Sequence, residues 1–96
     1  MIADRLRVFR ARFLERSRDD GAFLLDAVAA PEPDLLSIAQ VAHRLAGGGG
    51  TVGLPEISAA AATLEQACDD GDEPAVRLAV DRLCAVIDAW WAASAG

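Results

Sequence analysis

The chain has 96 residues, 53% of them apolar, and a formal net charge of −6 at neutral pH. That supplies one hydrophobic core and no second, so a single domain over residues 1–96 is expected. The acidic balance disfavours a nucleic-acid backbone as partner, and no run reaches the roughly 18 apolar residues of a membrane span.

Aromatic residues make up only 5%, tyrosine is absent, and the four prolines lie outside the periodic stretches. This balance predicts an all-α chain. Cys68 and Cys84 sit inside apolar helical patterns, far in sequence from His43, the single histidine. That spacing does not make a metal site, and reduced core cysteines in a cytoplasmic protein are expected. The N-terminus alternates arginine with apolar residues and has no apolar stretch followed by a cleavage site, so the chain reads as soluble and unexported.

Leu6, Phe9, Phe13, Leu24 and Val28 fall near one stripe of a 3.6-residue period, with Ser17 and Asp20 or Gly21 as weak middle turns. The pattern predicts helix over 3–29, with a candidate break at 19–21. Arg5, Arg7, Arg10, Arg12, Arg16 and Arg18 concentrate basic charge at its start. A solvated face explains them best, and docking to nucleic acid or an anionic membrane is the competing reading.

Pro31-Glu32-Pro33 is a linker, and Asp34 is suited to cap the helix that follows. That second helix carries Leu35, Ile38, Ala42, Leu45, Gly49 and Val52 on its core stripe, a 3-4-3-4-3 spacing that runs through the Gly47 to Gly50 tract. It is expected to continue to about Val52. Gly53 supplies a left-handed stop, and Pro55 suits the first turn of a third helix burying Ile57, Ala60 or Ala61, Leu64 and Cys68. The third helix should end at 69–72. Pro74 opens a fourth, with Val76, Val80, Leu83, Ile87 and Trp90 or Trp91 facing inward and a small-residue tail that frays. Four amphipathic helices with short connections make an antiparallel four-helix bundle, with nothing to demand a second chain, so a monomer is expected.

Counting from Leu35, the core stripe of the second helix centres near 310°, whereas His43 falls at about 80°, on the outer flank. Leu36, Ala39, Ala46, Gly47 and Gly50 share that flank, a shallow alley of small residues beside one apolar side chain. A lone helical histidine usually does nothing. The glycines change that expectation, because each costs roughly 0.8–1 kcal/mol inside a helix, and four cost about 3–4 of a total stability of about 5–15. A flexible loop is the competing reading of the tract; the stripe continuing to Val52 argues against it. Missing Cβ atoms one turn beyond His43 would let the backbone of another protein come close to the imidazole.

The tract from Ala42 to Glu65 resembles the signature of the histidine-containing phosphotransfer (HPt) family, His-x-Leu-x-Gly followed by small residues, a glycine and a downstream Leu-Glu. The matching positions are His43, Leu45, Gly47, Gly53, Leu64 and Glu65. The resemblance implies a phosphocarrier of a two-component phosphorelay, with His43 accepting a phosphoryl group on Nε2 from a receiver-domain aspartate and passing it to another. It implies receiver domains or a hybrid sensor kinase as partners, docking over Leu36, Ala39, Gln40, Arg44, Ala46, Gly47 and Gly50. The chain has no nucleotide loop and no carboxylate cluster beside His43. Mg²⁺ is therefore expected from the receiver, and neither ATP binding nor kinase activity is expected. Many family members carry lysine where this chain has Ala46. That difference leaves a second reading, an adaptor that binds receivers or kinases without taking phosphate. Arg44 points about 100° away from His43 and reads as a surface charge that reaches a phosphoryl group only by bending back.

Overall fold

The computed structural model describes residues 2–95, and all regular structure among them is helical. Four helices follow in order: α1 (Ile2–Ala29), α2 (Leu35–Thr51), α3 (Pro55–Asp69) and α4 (Glu73–Ala95). Each packs on the next, and α4 closes back on α1, whereas α1 and α3 lie diagonally with no close backbone approach. None of the described helices is long and apolar enough to cross a membrane.

The helix ends follow from their sequence chemistry. Asp34 caps α2, its carboxylate accepting from the Ser37 amide at 3.3 Å and the Ser37 hydroxyl at 2.7 Å. These bonds from Ser37, the hydroxyl's first, hold the Asp34 carboxyl below its ordinary value. Gly53 ends α2 with φ +76°, and the amides of Gly53 and Leu54 return to Gly50 and Gly49 at 3.4 and 2.8 Å. That double return satisfies carbonyls left open at the last turn. Gly71, φ +67°, repeats it for α3, with the Asp72 amide bonded to the Ala67 carbonyl at 3.2 Å. Asp72 then caps α4 by accepting from the Ala75 amide at 3.1 Å, so α4 starts at Glu73 with Pro74 in its first turn.

The core is formed by Leu14, Leu24, Ile38, Ala42, Leu45, Leu54, Ile57, Ala61, Leu64, Val76, Val80, Leu83 and Ile87. The stripes expected of α2, α3 and α4 are buried or packed on this core. Leu35, Trp90 and Trp91 are partly buried, and Ala61 rather than Ala60 is fully buried. Val41, Ala67 and Ala79 are buried beyond the expected set. The tail expected to fray is helical through Ala95.

α1 buries Ser17, Gly21, Leu24 and Val28 as expected and half-buries Phe13, but departs from expectation in two ways. It is unbroken, and Leu14 joins its inward face while Leu6 and Phe9 are 38% and 54% exposed. A 28-residue helix is about 42 Å long against about 26 Å for α2. The turns before Arg10 overhang the α2–α3 corner, where Arg10 Nε donates to the Val52 carbonyl at 3.2 Å. Leu6 and Phe9 there line only a shallow surface depression with Phe13, Gly48, Thr51 and Val52. Ser17 is tolerated at 0% exposure because its hydroxyl donates to the Phe13 carbonyl at 2.7 Å.

Both cysteines are free. Burial, followed by nearby carboxylates, raises the thiol pKa of Cys68 and of Cys84, which keeps them protonated and unreactive.

Candidate functional site

The Asp34 cap starts α2, the helical tract through Gly50 carries it on, and Leu45 and Ala42 hold it against the core. This places His43 on the outer flank, its side chain 79% exposed. The imidazole is nevertheless held. Its Nδ1 lies 3.0 Å from Oε2 of Glu65 on α3, and Glu65 is anchored by its neighbour Leu64, fully buried at 0%. An ionised carboxylate only accepts, so Nδ1 carries the hydrogen and donates. In the neutral ring Nε2 then has the free lone pair, turned to solvent.

Around His43 the expected surroundings separate into two groups. Leu36, 70% exposed, and Gln40, Gly47 and Gly50, all exposed, lie open to an approaching molecule. Ala39 and Ala46 are half-buried and pack on the core. The Ala46 carbonyl accepts from the Ser58 hydroxyl at 2.7 Å, which ties this turn of α2 to α3. Arg44 is turned away to α1, where its guanidinium meets Asp20 at 2.9 Å.

The glycine tract is helical and has no positive φ, and its four members do different work. A Cβ on Gly49 would lie 2.9 Å from the Ser58 backbone nitrogen, and one on Gly48 would lie 2.5 Å from the Phe13 ring. These two glycines let α2 come close to the start of α3 and to α1. A Cβ on Gly47 would meet nothing within 4 Å, and one on Gly50 only the Ser58 hydroxyl at 3.8 Å. Open space therefore lies at Gly47 and Gly50, the two glycines expected on the His43 flank, whereas Gly49, expected on the core stripe, is set against the backbone of α3 and Gly48 against the Phe13 ring of α1.

Two contacts were not read from sequence. Glu65 entered only as a matching position, because a pairing across 22 residues depends on how α2 and α3 are aligned. The Arg44–Asp20 pair depends likewise on α1 beside α2. Among the described residues no three His, Cys, Asp or Glu side chains come together to hold a metal ion. The arrangement is suited to nucleophilic attack by an oriented, accessible imidazole nitrogen.

The model of one protein family, the Hpt domain, matches residues 8–93 of the chain. No curated protein and no solved structure matches it.

Proposed function

We propose, since this chain belongs to the Hpt domain family, that it carries a phosphoryl group in a two-component phosphorelay and that His43 is the acceptor. The observation that carries this reading is the exposed imidazole whose Nδ1 is held by Glu65. In the reaction, the Nε2 lone pair attacks the phosphorus of a receiver's aspartyl phosphate. The new P–N bond forms as the P–O bond to the aspartate breaks, and the aspartate leaves as a carboxylate. The proton stays on Nδ1, and the positive charge that develops on the ring faces the Glu65 carboxylate. Return of the group to a second receiver reverses these steps.

The receiver's Mg²⁺ supplies charge neutralisation for the transferring phosphoryl group. This chain supplies the nucleophile, its orientation, and an open approach over Leu36, Gln40, Gly47 and Gly50. A receiver domain, free or fused to a hybrid kinase, is the partner whose chemistry suits that approach.

An adaptor that binds receivers without taking phosphate is the second reading. It is favoured by Ala46, which brings no cation to the site, and by the engagement of Arg44 with Asp20. Incubation with a phosphorylated receiver separates the two. The carrier reading expects acid-labile, alkali-stable label on the wild-type chain and none on a His43→Gln variant of unchanged helicity. A wild-type chain that binds the receiver and takes no label is the adaptor.

A further inference from the structure

The face of α1 that points away from the bundle has no partner within the chain. At about 100° per residue, Arg5, Val8, Arg12, Asp19, Phe23 and Asp26 lie within an arc of about 60°, opposite the inward Leu14, Gly21 and Val28. All six are exposed, Val8 at 47% and Phe23 at 46%. The ion pairs among the described residues are His43–Glu65 and Arg44–Asp20, so the four charges on this face are unengaged.

The order of residues along the face carries the inference. Its first half reads basic, apolar, basic and its second half acidic, apolar, acidic, with matching spacing when the helix is reversed. We propose that this face is the seam of a symmetric antiparallel dimer of the chain. A two-fold axis between residues 15 and 16 sets Arg5 opposite the partner's Asp26, Val8 opposite the partner's Phe23 and Arg12 opposite the partner's Asp19. The symmetry repeats all three contacts at the other end. Each apolar contact is flanked by two pairs of opposite charge, and Phe9, 54% exposed, widens it. A parallel pairing would set arginine against arginine and aspartate against aspartate, so the charges select direction as well as partner.

The shape of the molecule allows this packing. Its longest extent is 46 Å, about the length of α1 itself, so a second α1 can lie along the outward face without displacing α2 or α4. His43 is held against α3, whose backbone does not approach α1, so the seam leaves the candidate acceptor open. One helix pair is less than a stable interface of about 1,200–2,000 Å² needs, which makes the association weak and reversible.

Sedimentation velocity of the full chain, from about 10 μM to about 1 mM, tests it across the weak range. The mass is expected to rise from that of the 10.0 kDa chain towards twice that value, with weaker association at high salt. Arg12→Asp and Asp19→Arg should each weaken association at least tenfold by setting like charges opposite. The double variant, which keeps the net charge, should recover it, because the seam then pairs in reverse. Circular dichroism should show unchanged helicity throughout. A wild type that stays monomeric at 1 mM overturns the proposal, as does a double variant no better than the singles. Binding to phosphatidylglycerol vesicles by a chain that stays monomeric would assign the face to an anionic surface and overturn it too.

Discussion

At the scale of single residues, the site depends on what Glu65 does to His43. A carboxylate 3.0 Å from Nδ1 favours the tautomer with Nε2 free and, in the proposed reaction, would face the ring as it becomes positive. Glu65→Gln keeps the size of the side chain and can still make a hydrogen bond, but it removes the charge and the preference for an Nδ1 donor. Phosphoryl transfer from a receiver to this variant is expected to slow by about threefold to tenfold. That is below the usual range for a charge-assisted hydrogen bond, because the His43 side is largely exposed and the pair is screened. The variant should unfold at the wild-type urea concentration, since no core atom changes. Equal initial transfer rates for the two proteins would remove Glu65 from the mechanism. Position 43 itself was legible in the sequence, because helical phase alone sets it on the outer flank. The partner of its Nδ1 was not, because phase says nothing of the axial register between two helices.

At the scale of the element, α2 combines conflicting requirements in four consecutive glycines. Gly47 is in helix with open space where its Cβ would be. Gly47→Ala is therefore expected to stabilise the fold by up to about 1 kcal/mol, from better propensity and a more restricted unfolded chain. Gly49→Ala forces a Cβ against the Ser58 backbone, which cannot swing aside as a side chain can, and should destabilise by about 1–3 kcal/mol. Gly47→Gln should also fold, yet it should slow transfer by obstructing approach to His43. Urea unfolding and transfer rates on these three variants check the assignment. A stabilised Gly49→Ala, or unimpeded transfer to Gly47→Gln, would contradict it. The helical period showed that the tract continues the helix. It also put Gly49 inward and Gly47 and Gly50 outward, whereas the approach of Phe13 to Gly48 was not legible, since it depends on the height of α1 beside α2.

At the scale of the whole molecule, one core joins all four helices, and Leu64 lies in it at 0% exposure. Leu64→Ala should cost about 2–5 kcal/mol, the usual range for a buried leucine, against a total of about 5–15 for a domain. Far-UV circular dichroism and tryptophan fluorescence should report one coincident, earlier urea transition, because Trp90 and Trp91 pack on the same core. Separate transitions would mean that α4 unfolds independently of α3.

The sequence by itself determined the helical class, the four segments, the Asp34 and Gly53 ends of α2, and the outward placement of His43. These follow from local rules: periodicity, the αL conformation of Gly53, and the side-chain chemistry of Asp34. Tertiary structure decided that Leu14, rather than Leu6 and Phe9, faces the core. It also decided that Glu65 meets His43, that Asp20 takes Arg44, and that Phe13 lies over Gly48. Each of these depends on where one helix ends beside another. Hydrophobic periodicity gives the angle of a residue about its own axis, whereas burial and pairing also require its height against the neighbouring helix, and only assembly of the bundle sets that height.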